Sequence, residues 1–434
     1  METLKELLSY KSGLIGVAII VILSIAAIYS YFAFQKYVTL WRNTNYWSLY
    51  PSAVPPEWVS VFNPHSAVPT KFSEPINVLK KELYGSATNI TYVFKINYKW
   101  DVPPNDLKVI INATYSKFAP AVIVKIYGPG FKVTAIQDTI TNLPNVISLN
   151  NFDEAKNAIM NWASLNNINA TLPTAAIFRQ KGTYYVTVTF VGLGKFKASA
   201  KLLMDGTVYG LMGTDVFGRD IFIYTMLGLP YGLLIGILTS IIAATWGTLY
   251  GLASGYFGGW VDRIMQRVLE VWYSIPGLPL LILLTILLKP NIWLIMVLIA
   301  VFSWMGVAKV VRSMVLQLKN ENYVLASKAV GATSGWIMIK HILPQIAPFM
   351  MAQVALGVPG AILTEVSLDF LGLGDPNVPT WGWMLHDANV YGAAVNGYWW
   401  WVLPPGIMTA LVALGFALIG YAMDVILNPR LREV

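Results

Sequence analysis

The sequence contains no cysteine and only three histidines, His65, His341 and His386. Without cysteine the chain cannot form disulfide bonds or thiolate metal sites. Three scattered histidines without an HExxH motif do not make a standard zinc site, and no metal site is expected. Basic residues exceed acidic ones, giving a net charge of +8, but no basic cluster with interleaved aromatic residues appears. Redox chemistry, zinc chemistry and nucleic-acid binding are therefore not expected.

The sequence also lacks a phosphate-binding loop of the form GxxxxGK[ST]. Gly192, Gly194 and Lys195 mimic only the end of that motif. The chain is therefore not expected to cradle ATP, to carry a cofactor of its own or to act as an enzyme.

Charged residues are scarce, at 12% of the 434 residues, whereas 56% are hydrophobic and the mean hydropathy is +0.56. This composition indicates a membrane protein. A spanning helix needs about 20 mostly apolar residues, and six stretches qualify: 13–34, 223–253, 268–288, 292–311, 346–370 and 402–426. The first could instead be a cleaved signal peptide. Its apolar run is long and no small-residue cleavage site follows, so an uncleaved anchor is expected.

Lysine and arginine flank alternate ends of these spans, and such residues are enriched in short cytoplasmic loops. One side carries Lys5, Lys11, Arg263, Arg267, Lys309, Arg312, Lys319, Lys328, Lys340, Arg430 and Arg432. The opposite connections carry Lys289 and, across residues 371–400, neither lysine nor arginine. The pattern predicts a multi-pass protein of the cell membrane with both termini in the cytoplasm and residues 40–212 outside.

Residues 40–212 differ in character from the spans. Stretches such as "KVIINATY" and "TYYVTVTF" alternate with a period of two and are rich in β-branched and aromatic residues. They predict a β-sandwich-like domain with one helix at 151–165. All three Asn-x-Ser/Thr sequons, at Asn89, Asn112 and Asn169, lie here. They are either glycosylation sites or residues common in β-turns.

The stretch "GTDVFGRDIF" stands before the second span, with Gly213, Thr214, Asp215, Gly218, Arg219 and Asp220 as its characteristic residues. It is either a capped and salt-bridged helix start, which we favour, or a substrate contact. Beyond it, Gly247, Gly251 and Gly255 recur every four residues and predict close helix packing.

Ionisable residues lie within or at the ends of the spans: Glu270, Glu365, Asp369 and Asp424. Because intramembrane charge is usually functional, Glu365 and Asp369 are candidate pathway or gate residues. The aromatic stretches "TWGWML" at 380–385 and "GYWWW" at 397–401 predict interfacial belts.

The stretch "YVLASKAVGATSGWIMIKHILP", residues 323–344, lies between the fourth and the fifth predicted span. The small residues Ala326, Ser327 and Ala329 predict a short helix that a partner can approach closely, and Gly331 predicts its end. Trp336, Ile337 and Ile339 are expected to form an apolar face against the membrane helices. Pro344 is expected to start the turn into the fifth span.

This stretch resembles the cytoplasmic EAA loop of ABC importer permeases, with the pattern E-A-A-x3-G-x9-I-x-L-P, and in particular the C-type permease of the dipeptide/oligopeptide transporter family. Ala326, Gly331, Leu343 and Pro344 match the pattern, whereas Leu325, Ser327 and His341 depart from it. "GTDVFGRDIF", "GLASGYFGGWVDRIMQRVLEV", "EVSLDFLGLG" and "LNPRLREV" match the same subfamily in order.

The resemblance implies a polytopic α-helical membrane protein with six transmembrane helices in the ABC type I importer fold, into which the external β domain is inserted. It divides the chain into 1–39, 40–212 and 213–434, with the coupling loop at 320–345. Residues Leu325, Ala326, Ser327, Ala329, Gly331, Ala332, His341, Leu343 and Pro344 would couple to an ATPase.

The resemblance also implies partners: a second, B-type permease, two cytoplasmic ATP-binding subunits that hold ATP and Mg, an extracellular substrate-binding protein, and membrane lipid. The chain would form half of a pathway for dipeptides and oligopeptides or for oligosaccharides. The alternatives are a secondary transporter and a membrane-anchored receptor with an external β domain. The cysteine-free composition, rich in isoleucine and tyrosine, mildly suggests an archaeal source.

Overall fold

The computed structural model describes residues 2–83, 87–289 and 291–427. The chain divides into two compact units, Met1–Arg42 with Ile223–Val434, and Asn43–Phe222. We call them the helical unit and the β unit. This division differs from the sequence-based boundary at 212, because the segment after the boundary is hydrogen-bonded to the start of the β unit. The Thr214 hydroxyl, for example, donates to the Pro51 carbonyl at 2.7 Å.

The chain begins with helices α1 (Glu2–Ser9) and α2 (Lys11–Phe34) of the helical unit. The 24 residues of α2 rise about 1.5 Å each, enough for a hydrocarbon core about 30 Å thick. No charged residue follows Lys11 within this helix. The structure thus has a spanning helix at the predicted 13–34.

The β unit consists of two antiparallel sheets with strand orders β1-β9-β4-β7 and β2-β3-β8-β5-β6. Its elements are α3 (Thr44–Trp47), β1 (Lys71–Ser73), β2 (Asn77–Leu83), β3 (Ala87–Tyr98), β4 (Asp106–Tyr115), β5 (Ala121–Gly128), β6 (Phe131–Thr139), β7 (Val146–Ser148), α4 (Asp153–Leu165), α5 (Pro173–Ile177), β8 (Gly182–Leu193) and β9 (Phe196–Asp205).

One hydrophobic core joins the two sheets. Val109 and Leu202 enter it from the four-stranded sheet, and Phe94 and Val186 from the five-stranded sheet. The period-two pattern in the sequence is visible in β5, where every second residue is buried. Helix α4 lies where the sequence predicted a helix, and its Ile159 belongs to the same core.

In the part of the helical unit that the structure describes, the chain continues with nine α-helices: α6 (Ile221–Phe257), α7 (Gly259–Ser274), α8 (Gly277–Leu288), α9 (Ile292–Leu318), α10 (Asn322–Ala329), α11 (Ser334–Ile337), α12 (Leu343–Phe370), α13 (Trp381–Val390) and α14 (Trp399–Leu427). Among the described residues, five helices are long and apolar enough to cross a membrane, or six if the bent pair α7 and α8 forms one span.

The predicted span at 268–288 is not one straight helix, because the chain bends by 78° between α7 and α8, which could cross a membrane only as a bent pair. Ile275 at the break is extended, with φ −78° and ψ 127°. Steric contact with Pro276 disfavours the helical conformation of the preceding residue, and proline has no N–H to continue the helix. The bend therefore follows from Pro276, whose effect on the backbone does not appear in a hydropathy pattern.

The turn expected at Pro344 is also absent. Helix α11 runs through a π-helical turn, Met338–Ile342, directly into α12, so the chain is helical from Ser334 to Phe370. Pro344 occupies the first turn of α12. Because the helix is continuous here, the missing N–H of this proline interrupts the backbone hydrogen-bond ladder, and it does so directly after the π-helical turn.

The aromatic stretches differ from the predicted interfacial belts. "TWGWML" begins α13, and the Trp381 side chain is buried. Its indole N–H donates to the Thr225 carbonyl at 2.8 Å, and Gly228 and Gly232 of α6 lie against its ring. Trp400 and Trp401 of the second stretch are buried as well. These tryptophans pack helices together, which their position in the sequence does not show.

The glycine stripe of α6 packs against α9, as predicted. A Cβ atom added at Gly251 would lie 2.5 Å from the Ala308 carbonyl oxygen, and one at Gly255 would lie 2.8 Å from the Val315 Cβ. Glycine is required here because two helix backbones approach each other too closely for a side chain.

Candidate functional site

The loop resembling the EAA motif begins with a short helix that has a defined end. Helix α10 ends in a Schellman motif, in which the Gly331 N–H donates to the Lys328 carbonyl at 3.1 Å and the Ala332 N–H to the Ser327 carbonyl at 3.1 Å. Gly331 has a φ of +87°, a left-handed conformation that glycine adopts without strain. Gly331 is thus the helix stop that the sequence predicted.

One face of α10 is anchored and the rest is exposed. Val324 is buried in a cluster with Val315 of α9 and Ile346 of α12. Leu325, Ala326, Lys328 and Ala329 are exposed, and 86% of the Val330 surface is accessible. The helix therefore presents a surface of small and apolar side chains that no described residue covers.

This loop has two legs: α10, which precedes Gly331, and the helical segment 334–342, which follows it. Ser327 and His341 join the two legs. The His341 Nε2 lies 3.0 Å from the Ser327 Oγ, which also donates to the Tyr323 carbonyl at 2.8 Å. The imidazole ring is 4.8 Å from the Trp336 ring and 5.9 Å from the Tyr323 ring. Two residues that depart from the EAA pattern thus contact each other, a pairing that the sequence alone did not suggest.

The second leg is only partly buried. Ile337 and Ile342 belong to the apolar cluster, whereas Trp336 and Ile339 remain 48% and 62% exposed. The predicted apolar face of Trp336, Ile337 and Ile339 is therefore right for Ile337 alone. The π-helical turn explains this, because it adds a residue to one turn and brings Ile342 onto the face of Ile337.

A polar cluster connects the ends of α6, α7 and α9 next to this loop. The Arg312 guanidinium forms two hydrogen bonds of 2.6 Å with the Asp262 carboxylate. Ser254 also donates to Asp262 at 2.5 Å, and the Lys319 ammonium donates to the Gly255 carbonyl at 2.9 Å. In the sequence these cations indicated only orientation, and the cluster was not predicted. Two signals pointed to it: Asp262 lies five residues before Arg267, and Arg312 lies within an apolar helix.

Comparison of the sequence with known proteins identifies a family. The family described as "Binding-protein-dependent transport system inner membrane component" matches residues 247–433. The dipeptide transport system permease protein DppC of Bacillus subtilis is 39% identical over 222 residues, 51% of this chain and 69% of the relative. The oligopeptide transport system permease proteins OppC of B. subtilis and Haemophilus influenzae are 35% and 37% identical, over 72% and 74% of their lengths.

The chain belongs to this family. The resemblance to C-type permeases is thereby confirmed, and the chain is a multi-pass membrane permease. The named relatives are bacterial, so they give no support to an archaeal source. The solved structure of the MetNI methionine ABC transporter matches 45% of this chain and 92% of that chain at 18% identity. Its TM-score of 0.35 is too low to support an argument about the fold.

Glu365 and Asp369 of the permease are one turn apart on α12 and are both buried. The Asp369 carboxylate accepts a hydrogen bond from the Thr380 hydroxyl, which also accepts from the Trp383 N–H at 3.3 Å as the N-cap of α13. Asp369 therefore fixes the start of α13. A pathway or gate role for these two acids stays a prediction.

The "GTDVFGRDIF" stretch forms a hydrogen-bonded turn within the β unit. Arg219 and Asp215 form a buried ion pair, and the Asp215 Oδ1 accepts from the Phe217 and Arg219 N–H groups at 2.9 Å each. The Asp220 Oδ1 accepts from the Phe222 N–H at 2.9 Å. Gly213 and Gly218 complete the turn with φ values of +73° and +82°. The Thr214 side chain is buried. This geometry favours the structural interpretation over a substrate contact.

The other predicted residues are spread over the chain. Asn112 and Asn169 are exposed, whereas Asn89 is half-buried and accepts from the Thr91 hydroxyl at 3.2 Å. Glu270 is exposed and bound to Arg267 at 3.0 Å, and Asp424 is exposed. The stretch "LNPRLREV", with Arg430 and Arg432, lies outside the described residues. Glycosylation of the sequons stays a prediction.

Proposed function

We propose that this permease is a transmembrane subunit of an ATP-driven ABC importer and forms half of the translocation pathway for dipeptides or oligopeptides. The observation that carries the proposal is α10. It is anchored at Val324, ends at Gly331, and presents the exposed residues Ala326 and Ala329 next to the membrane helices. Such a face suits close docking of a second protein.

Two cytoplasmic ATP-binding subunits would supply the energy and hold ATP and Mg. Helix α10 would insert into one of them, and closure of the ATPases would reach the membrane helices as a rigid-body motion. The buried cluster of Val324, Val315 and Ile346 supports this role, because it connects α10 to α9 and α12. The Arg312–Asp262 hydrogen bonds in turn join α9 to α7. The second half of the pathway would come from a B-type permease.

The distribution of lysine and arginine supports an orientation with both termini and the loop in the cytoplasm. The β unit would then lie outside, where it would help to receive an extracellular substrate-binding protein. Deletion of residues 45–205 tests this role. Loss of binding-protein association with retained assembly supports it, and unchanged association would assign the unit to stability or envelope attachment.

Purification in mild detergent tests the subunit composition. The importer predicts that two ATPases and a second permease co-purify with the chain, whereas a secondary transporter or a receptor would be isolated without them. Uptake by the reconstituted complex then tests the substrate. The names of the matched relatives favour peptides over oligosaccharides, and ATP-dependent uptake of oligosaccharides alone would overturn that choice.

A further inference from the structure

A short helical turn near the start of the β unit carries large apolar side chains on its surface. Residues Glu57–Val61 form this turn, which is a 3-10 helix. Trp58, Val61 and Phe62 are 48%, 77% and 80% exposed. The Trp58 indole N–H donates to the Leu211 carbonyl at 3.0 Å, and Leu211 is itself 61% exposed. We call Trp58, Val61, Phe62 and Leu211 the apolar patch.

The turn that carries this patch is amphipathic. In a 3-10 helix, side chains three residues apart lie on the same face. Trp58 and Val61 therefore share one face of the turn, whereas Glu57 and Ser60 share another. Glu57 and Ser60 line a groove together with Lys99. An exposed apolar face beside a polar one is typical of segments that lie in a membrane interface or bind another protein.

Hydrogen bonds connect the patch to the first residue of the spanning helix α6. The Glu57 N–H donates to the Gly210 carbonyl at 2.9 Å. A little farther along the same segment, the Ile221 N–H donates to the Gly213 carbonyl at 3.1 Å, and Ile221 is the first residue of α6. Leu211 precedes Gly213 by two residues, which span at most about 7 Å. The patch therefore lies close to the point where α6 begins.

The start of α6 marks the level of the membrane surface. Helix α6 has 37 residues and none of them is charged, whereas Asp220 directly precedes it. At about 1.5 Å per residue the helix is about 55 Å long, which exceeds the thickness of about 40–45 Å of a bilayer with its headgroups. Both ends of α6 therefore reach the headgroup region, whichever side of the membrane the β unit occupies.

We propose that the apolar patch inserts into the interfacial layer of the lipid bilayer and anchors the β unit to the membrane surface. Tryptophan is enriched at this depth, and the exposed side chains of Val61 and Phe62 would leave water for the edge of the hydrocarbon. Lipid is favoured over a protein partner because the patch is hydrogen-bonded to the segment that starts the span. The anchor does not depend on the importer function.

Phe118 provides a matched control position. It is also a phenylalanine on the surface of the β unit and is 53% exposed. It follows β4, whose last residue Tyr115 pairs with Phe196, the first residue of β9. The chain reaches Leu211 only after the last residue of β9, Asp205, which lies about 30 Å farther along the strand. Phe118 is therefore remote from the start of α6.

The cysteine-free sequence allows one fluorophore to be attached at each position in the full chain. Phe62→Cys and Phe118→Cys are labelled and placed in liposomes that contain lipids with a nitroxide near the top of the acyl chain. Because interfacial segments insert about 5–10 Å, we expect at least about two-fold quenching at 62 and little at 118. No quenching at 62, or equal quenching at both positions, would overturn the proposal.

The same liposomes separate lipid from a protein partner. The purified chain alone should already show the quenching at 62, and the quenching should persist when the other subunits are reconstituted with it. Its loss on assembly would overturn the anchor and assign the patch to a protein contact. Quenching is measured without transport, so a complex that fails to import peptides would refute the proposed function and leave this result intact.

Serine substitutions test the natural side chains without a fluorophore. In liposomes, Val61→Ser combined with Phe62→Ser should speed amide hydrogen exchange of residues 57–62 at least about three-fold, because exchange follows local stability. Phe118→Ser should leave the exchange of that segment unchanged. An unchanged rate in the double variant, or the same increase for Phe118→Ser, would overturn the proposal.

Discussion

His341 Nε2 and Ser327 Oγ lie 3.0 Å apart and connect the two legs of the loop at residues 320–345 across 14 residues of chain. Ser327 is on α10 and His341 is on the π-helical turn that leads into α12. The contact therefore fixes the angle between the exposed helix and a membrane helix. The EAA pattern has alanine and isoleucine at these two positions, so the Ser327–His341 pair is not part of that pattern.

Ser327→Ala should weaken the connection between α10 and α12. The loss of a hydrogen bond costs about 0.5–1.5 kcal/mol locally, and α10 would then move independently of α12. We expect the number of solutes transported per ATP hydrolysed to fall two-fold or more, a rough estimate from the same energy. Uptake and phosphate release by the reconstituted complex measure this ratio. Ser327→Thr retains the hydroxyl and should restore it, and a normal ratio in the alanine variant would contradict the role.

Gly331→Ala should weaken the end of α10. At a φ of +87° a side chain is strained, by about 1–2 kcal/mol, although no heavy atom lies within 4 Å of the new Cβ. Gly331→Asn should be milder because asparagine tolerates this conformation. Gly335→Ala is the matched control, since the same loop leaves equal space there without a positive φ. ATPase affinity for the permease, measured by titration, should fall for alanine at 331 and not at 335. Gly331→Trp should abolish coupling.

Gly251→Leu should separate α6 from α9. Its side chain would collide with the Ala308 carbonyl, and overpacking of this kind costs about 1–3 kcal/mol or more. A lower temperature of unfolding in detergent would show the effect. Gly406→Leu places the same side chain in open space and should leave that temperature nearly unchanged. Similar losses in both variants would contradict the packing role, because the change from glycine to leucine by itself raises helix propensity.

Asp205 should make the stability of the β unit depend on pH. Burial raises its pKa from 3.8 to about 7, although the Lys108 ammonium at 2.5 Å opposes the rise. Between these pH values the folded chain binds more protons than the unfolded chain, so the contribution of Asp205 is present at low pH and is lost as pH rises through about 7. The slope is at most about 1.4 kcal/mol per pH unit.

Amide hydrogen exchange of β4 and β9 in the full chain measures this dependence. After correction for intrinsic rates, protection should decrease from pH 5 to pH 8 in the natural protein. Asp205→Asn cannot titrate and should show a smaller change, whatever its absolute stability. An equal decrease in both proteins would assign the pH dependence to other groups.

Much of this protein was determined by local sequence. Apolar runs of spanning length predicted α2, α6, α9, α12 and α14. The hydrocarbon core of a membrane requires a helix of a certain length and hydropathy, and both can be read from one local segment. Period-two alternation set the strands, and Gly331 set the end of α10, because both depend on residues close together in the chain. The tertiary structure decided the rest. The burial of Trp381, the pairing of Ser327 with His341 and the hydrogen bond from Trp58 to Leu211 each need residues that are far apart in sequence. The packing of whole helices determines whether a tryptophan faces lipid or protein and whether a hydroxyl finds a partner, and no local pattern encodes that packing.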